Sequence, residues 1–147
     1  MPVIQRSALV RYSPAQMYAL VDDIESYPQF LPWCAATTVF SRTEDEVRAA
    51  IELHRGGVRK TFTTLNRLQK NKMIEVRLVE GPFHHLEGFW RFEPLGETGE
   101  GCKVTFDMNF EFSSRILSLT VGPVFNQITN TLVDAFCQRA EQIYGGP

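Results

Sequence analysis

Residues 102–113 alternate apolar and polar side chains without a break, which makes this stretch the most informative in the chain. It reads Cys102-Lys103-Val104-Thr105-Phe106-Asp107-Met108-Asn109-Phe110-Glu111-Phe112-Ser113. Successive side chains of a β-strand point to opposite faces, so the pattern predicts a strand with one buried face and one face in water. Another element of the chain must then cover the apolar face.

The same two-residue period extends back through most of the chain. Turn-forming residues interrupt it at 43–45, 56–57, 69–71, 81–82 and 96–99. Together with the N-terminal segment, these interruptions predict seven strands, at 3–12, 34–42, 46–55, 58–68, 72–80, 85–94 and 102–113. The loops between the last six are short, which requires antiparallel hairpins because a parallel crossover needs about a dozen residues or more.

Two regions have helical spacing instead. Ser13 is a good N-cap, and Met17, Leu20, Val21 and Ile24 predict a short helix that ends near Tyr27-Pro28. A longer helix that covers the sheet is predicted by an apolar stripe of Val121, Phe125, Ile128, Leu132, Phe136 and Ile143. Since proline inside a helix costs about 3 kcal/mol, Gly122-Pro123 predicts a separate short helix before the long one.

These elements predict an α+β chain of the helix-grip type, in which a seven-stranded curved antiparallel sheet wraps around the long C-terminal helix. The 147 residues are enough for one domain, which we expect to span 1–147. A hydrophobic fraction of 44% and a charged fraction of 22% are typical of a soluble globular protein. The net charge of -2 argues against a polycation that binds nucleic acid with its whole surface.

The cysteine pattern and the apolar runs bear on location. Cys34, Cys102 and Cys137 are widely spaced and form no CxxC pair, which disfavours a zinc knuckle or a disulfide framework and favours a reducing cytosol. Neither a secretory leader nor a run of 18 apolar residues is visible. We therefore expect a cytoplasmic protein without a transmembrane segment.

No residue pattern predicts catalysis or metal binding. His54, His84 and His85 have no nucleophile motif around them, and the last two would point to opposite faces of a strand. Asp22 and Asp23 diverge on a helix, and Gly56-Gly57 lacks the rest of a phosphate-binding loop. We expect no catalytic residue, no metal ion and no required cofactor.

An apolar cavity has more support, because 11 phenylalanines can either fill a wide core or line a pocket. Phe30, Leu31 and Trp33 lie in a turn bounded by prolines, and Phe83 follows a Gly-Pro turn. They fit the mouth of a cavity or a staple that holds loops on the core, and the pattern alone favours neither. The candidate cavity residues are Phe30, Leu31, Trp33, Phe83, Leu86, Trp90, Phe92, Phe106, Met108, Phe110, Val121, Phe125, Ile128 and Leu132.

A basic interval is the last feature. No acidic residue lies between Glu52 and Glu75, whereas the interval contains Arg55, Arg59, Lys60, Arg67, Lys70 and Lys72. These cations are a candidate contact for RNA phosphates or for an anionic membrane surface. Charge that protects exposed strands from aggregation is an equally good interpretation.

Several motifs together resemble the coenzyme Q-binding, START-like family of the polyketide cyclase/START superfamily, which also includes bacterial ribosome association toxins. They are Asp23-Ile24-Glu25-Ser26-Tyr27-Pro28-Gln29-Phe30-Leu31-Pro32-Trp33-Cys34, Glu80-Gly81-Pro82-Phe83, Gly88-Phe89-Trp90-Arg91-Phe92 and Ala135-Phe136-Cys137-Gln138-Arg139-Ala140.

The resemblance implies non-enzymatic binding of ubiquinone or a related polyprenyl quinone or lipid between sheet and helix, in support of respiration. Peripheral contact with the inner membrane would fit that role. The alternative that it implies is a toxin that binds the large ribosomal subunit and blocks subunit association. A polyketide cyclase-like enzyme is a distant third.

Overall fold

The computed structural model describes residues 3–145, which form one seven-stranded sheet with helices packed on one face. The strands are β1 (Val3–Val10), β2 (Cys34–Arg42), β3 (Glu46–Arg55), β4 (Val58–Gln69), β5 (Met73–Glu80), β6 (Phe83–Leu95) and β7 (Gly101–Phe112). All seven predicted strands are present, and their observed ends differ from the predicted ends by at most two residues.

The sheet order is β1-β7-β6-β5-β4-β3-β2, and every neighbouring pair is antiparallel. Five hairpins in series thus build the sheet from β2 to β7, and β1 adds to the free edge of β7. Trp90 pairs with both Ile74 and Phe106, which places three predicted core residues on one face. The prediction of one buried and one wetter face is confirmed, since Phe106 is buried and Glu111 is exposed.

The first helix, α1 (Pro14–Asp22), begins as predicted at the cap residue Ser13. The Ser13 hydroxyl accepts a hydrogen bond from the Gln16 amide at 3.2 Å, and the Gln16 side chain accepts one from the Ser13 amide at 2.8 Å. The predicted end near Tyr27-Pro28 is wrong. Asp23 has ψ 68°, which stops the α-helix, and a 3-10 helix over Ile24–Gln29 follows it.

The C-terminal region contains the short helix α2 (Arg115–Thr120) and the long helix α3 (Gly122–Tyr144), divided as Gly122-Pro123 predicts. The stripe prediction holds for Phe125, Ile128 and Phe136, which are buried against the sheet.

The prediction of a buried stripe is wrong for Ile143, which is 52% exposed. Steps of four residues from Phe136 lead to Ala140 and Tyr144, so those two residues occupy the inward positions of the last turns. The Tyr144 hydroxyl donates a hydrogen bond to the Gln16 carbonyl at 2.8 Å. Within residues 3–145, no helix is long and apolar enough to cross a membrane.

Candidate ligand-binding cavity

A cavity of about 80 Å³ lies between the sheet and α3, with α1 and the 3-10 helix closing one side. Strands β3 to β7 contribute to its wall, and none of the side chains that line it is charged. The lining residues are Val21, Ile24, Tyr27, Trp33, Ile51, Leu53, Phe62, Thr64, Asn66, Ile74, Val76, Leu86, Trp90, Phe106, Met108, Phe125, Ile128, Thr129, Leu132 and Phe136.

Aromatic contacts fix the shape of the wall. The Trp90 ring lies 4.4 Å from the Phe106 ring and 5.3 Å from the Phe136 ring, centroid to centroid. Phe62 meets Phe125 edge to face at 6.4 Å. Such contacts restrict ring rotation, so the cavity has a defined surface on these sides.

The cavity is small for a ligand site. An apolar cavity that holds benzene measures about 150 Å³, and pockets for drug-sized ligands measure about 300–1,000 Å³. A ring-sized ligand therefore requires the wall to move. Met108, with three rotatable side-chain bonds, and the half-buried Leu132 are the adaptable parts of that wall.

The structure brings eight of the fourteen candidate residues onto the cavity wall. They are Trp33, Leu86, Trp90, Phe106, Met108, Phe125, Ile128 and Leu132. Other contacts occupy the remaining six, which do not border this cavity: Phe30, Leu31, Phe83, Phe92, Phe110 and Val121.

Phe83 and Phe110 belong to an aromatic cluster beyond one end of the cavity. Phe83 stacks on Phe112 at 4.9 Å, and Phe110 meets Phe125 edge to face at 4.7 Å. Phe92 faces Tyr18 of α1 at 5.8 Å, and Val121 is buried at the start of α3. These side chains fill the core, which is the other use of a phenylalanine excess.

The sequence leaves two interpretations of the proline-bounded turn open, and each of them fits some of its residues. Phe30 acts as a staple, since its ring packs on Phe136 at 5.3 Å and the Arg139 guanidinium lies 4.9 Å above it. Leu31 is 1% exposed and also packs in the core. Trp33, by contrast, lines the cavity, and its carbonyl accepts a hydrogen bond from the His54 amide at 2.9 Å.

Sequence reasoning missed twelve lining residues: Val21, Ile24, Tyr27, Ile51, Leu53, Phe62, Thr64, Asn66, Ile74, Val76, Thr129 and Phe136. The signal on β4 was available, because Phe62, Thr64 and Asn66 are spaced by two and share a face. Thr64 and Asn66 are polar, so the sequence pattern suggests that their side of β4 faces solvent. Only the packed structure places them inside.

The titratable residues near the cavity are held neutral by burial. Burial raises the pKa of the Tyr27 phenol, whose hydroxyl donates a hydrogen bond to the Val21 carbonyl. Burial also raises the pKa of the Cys34 thiol to about 11. A neutral phenol and a neutral thiol are poor nucleophiles, so neither group is activated for covalent chemistry.

The histidines lie outside the cavity. His54 faces the Arg59 guanidinium at 3.1 Å, His84 is exposed, and His85 contacts the Asn109 side chain. Among residues 3–145, no three His, Cys, Asp or Glu side chains are grouped so that they could hold a metal ion.

The basic interval does not form one surface. Arg55, Arg59 and Lys60 lie at the β3–β4 hairpin, whereas Arg67, Lys70 and Lys72 lie at the β4–β5 turn. A strand rises about 3.3 Å per residue, so the two ends of β4 are roughly 35 Å apart.

Acidic residues also accompany these cations. Arg59 forms an ion pair with Glu52 at 3.5 Å, and Arg67 lies in register between Glu46 and Glu75. The six cations therefore form two separate groups, one at each end of β4.

Comparison with known proteins agrees with this architecture. A family model described as polyketide cyclase / dehydrase and lipid transport matches residues 10–137. The chain belongs to this family. The chain is 45% identical to a ribosome association toxin, RatA, of Pseudomonas aeruginosa, and the alignment covers 97% of each protein. Members of the family therefore include proteins named for ribosome association.

Two further likenesses concern other members and the fold. A Xenopus laevis protein, named a mitochondrial coenzyme Q-binding protein COQ10 homolog B, is 32% identical over 95% of this chain and 58% of its own. The solved Zhui aromatase/cyclase from a Streptomyces species superimposes with a TM-score of 0.84 at 14% identity, covering 99% of both chains. At that identity the likeness shows the shared START-like fold alone.

Proposed function

We propose that this protein binds a neutral hydrophobic ligand, ubiquinone or a related polyprenyl quinone or lipid, in the cavity between the sheet and α3. The observation that carries the proposal is a cavity whose wall is apolar except for three uncharged polar residues. An isoprenoid tail needs apolar wall and few polar contacts, and this wall supplies both once Met108 and Leu132 move to enlarge the cavity. The name of the Xenopus relative supports the same ligand class.

The role is binding rather than catalysis. The relatives at 32–45% identity are named as toxins or binding proteins, whereas the cyclase likeness is one of fold. The chain needs no cofactor for such a role, and the quinone is its cargo. Delivery of a quinone to respiration would place the protein in the cytoplasm with peripheral contact at the inner membrane.

The test is to purify the protein from its native host, extract it with organic solvent and identify the lipids by mass spectrometry. A quinone or another neutral polyprenyl lipid in stoichiometric amount is expected. A matched pair of variants then tests whether the lipid occupies the cavity. Leu132→Asp puts a charge on the cavity wall and should expel the lipid, whereas Gln127→Asp puts the same charge on the exposed side of α3 and should retain it.

Circular dichroism must show that Leu132→Asp is folded before its result is interpreted. If the wild-type protein carries no lipid and binds no added quinone, the proposal fails.

A second function, association with the large ribosomal subunit that blocks joining of the subunits, has its own support. Relatives at 43–45% identity over nearly the whole chain are named ribosome association toxins. One end of the sheet also combines cations with uncovered apolar residues. Gly56 of the β3–β4 hairpin lies near Val124 of α3, since a Cβ added to Gly56 would be 3.9 Å from Val124 Cγ2. The helix that precedes α3, α2, exposes Ile116 and Leu119.

A further inference from the structure

Buried polar side chains are concentrated on the cavity wall. Apart from tyrosine and tryptophan, three polar residues are buried among residues 3–145, Thr64, Asn66 and Thr129, and all three line the cavity. A buried polar group costs free energy unless it is hydrogen-bonded, so an apolar side chain would serve folding better at each position. Their common location points to the contents of the cavity.

Hydrogen bonds account for all but one of these groups. Thr129 Oγ1 donates back to the Phe125 carbonyl at 3.0 Å, within its own helix. Thr64 Oγ1 donates to Asn66 Oδ1 at 3.0 Å. Asn66 Nδ2, which carries two protons, has no acceptor among the described residues.

The position of this amide group follows from burial. In the part of the chain described, every side-chain nitrogen or oxygen that is fully enclosed has a hydrogen-bond partner. Asn66 is 8% exposed, and its neighbours in register on β3 and β5 are Val47 and Val76. The unpaired Nδ2 therefore keeps accessible surface, it belongs to a side chain that lines the cavity, and the adjacent strands offer it no acceptor side chain.

We propose that Asn66 is the donor that selects the ligand, with Nδ2 donating a hydrogen bond to a carbonyl oxygen at the polar end of a neutral lipid. Thr64 holds the amide through Oδ1, which leaves the NH₂ group free to donate to a ligand. The absence of any charged lining residue excludes a carboxylate ligand, because its charge would be buried without a partner. This inference rests on the proposed ligand-binding function and specifies its chemistry.

Two probes separate the hydrogen bond from apolar burial: a decyl-substituted benzoquinone, and decylbenzene, which has the same chain on a six-membered carbon ring of similar size but no carbonyl oxygen. Their affinities for the full-length protein are measured by isothermal titration calorimetry. Asn66→Leu keeps the side-chain volume and removes the donor. This variant should lower the affinity for the quinone by about tenfold, and its affinity for decylbenzene should be unchanged or higher.

Thr131→Val is the control, since it removes a hydroxyl on the exposed side of α3 that donates within the helix to the Gln127 carbonyl at 3.0 Å. Its quinone affinity should remain within about twofold of the wild-type value. Thr64→Val removes the hydrogen bond to Asn66 Oδ1 and should lower the affinity for the quinone less than Asn66→Leu does. If Asn66→Leu does not fold, the infrared carbonyl band of the bound quinone decides, because it should lie at higher frequency in Thr64→Val than in the wild-type protein.

The outcomes distinguish the two proposals. Equal quinone affinity in wild type and Asn66→Leu, or an equal loss for both probes, would overturn the role of Asn66 and leave ligand binding standing. A carbonyl band unchanged in Thr64→Val would overturn it as well. A wild-type protein that binds neither probe would overturn the proposed function, and this inference with it.

Discussion

The Tyr27 ring stands edge-on to the Phe136 ring, with centroids 5.5 Å apart and planes inclined at 71°. Tyr27 belongs to the 3-10 helix that follows α1, and Phe136 to the middle of α3, so this contact joins the two helical segments over the cavity. Both side chains also line it. The motif that carries the family resemblance thus closes the cavity.

Variants of this pair should separate the ring contact from the hydrogen bond. Tyr27→Phe keeps the ring and removes the hydrogen bond to the Val21 carbonyl, so it should lower the free energy of unfolding by about 1 kcal/mol. Phe136→Ala empties a fully buried position and should cost about 3–5 kcal/mol. Urea denaturation measures both. Equal costs would mean that the ring contact contributes no more than the hydroxyl.

Gly81 should tolerate alanine far less well than Gly57. Both have positive φ, +156° and +81°, but a Cβ on Gly81 would lie 2.7 Å from Phe62 Cβ, whereas one on Gly57 meets nothing within 4 Å. Gly57→Ala should cost about 1 kcal/mol from backbone strain alone, and Gly81→Ala clearly more. Thermal or urea unfolding of the two variants checks the order. Similar losses would show that the turn moves away from β4 at little cost.

The stability should fall at alkaline pH because of two buried thiols. Burial raises the pKa of Cys34 and of Cys102 to about 11, from an ordinary value of 9.0. Between these values the folded chain keeps protons that the unfolded chain releases. The free energy of unfolding therefore carries the full contribution below pH 9 and loses it as the pH rises towards 11.

The control is the Cys34→Ala/Cys102→Ala variant, in which other groups still titrate. Urea denaturation at pH 7.5 and at pH 10.5 should show a smaller loss of stability in this variant than in the wild-type protein. The same pH dependence in both proteins would contradict the prediction.

The two ends of β4 should differ in ribosome binding. Arg55→Glu/Lys60→Glu alters the hairpin end, where Gly56 lies near Val124 of α3, whereas Lys70→Glu/Lys72→Glu makes the same charge change at the opposite end. We expect the first pair to weaken co-sedimentation with the large subunit and to flatten its salt dependence, since fewer counterions are then released. The second pair should have little effect.

Quinone binding should survive both changes, because the altered side chains lie outside the cavity. Equal weakening by the two pairs would indicate general attraction between charges rather than a defined contact. If neither pair has an effect, these cations serve only to protect the strands.

The strand positions, the antiparallel pairing of the last six strands and the buried face of 102–113 follow from the sequence alone. The two-residue alternation of 102–113 and the cap at Ser13 are local signals, since each depends on a few neighbouring residues and on backbone geometry. The turn glycines and prolines set the strand ends in the same local way. For this reason the predicted and observed strand boundaries nearly coincide.

Which inward side chains border empty space depends on how distant elements pack together. Phe106 and Phe110 are alike in sequence pattern, yet one lines the cavity and the other fills the core. The difference arises where strands, α1 and α3 converge, and no local pattern records that convergence. The same reason applies to Asn66, which becomes a cavity donor only because distant elements enclose it, and to Arg59 and Lys70, which the length of β4 separates.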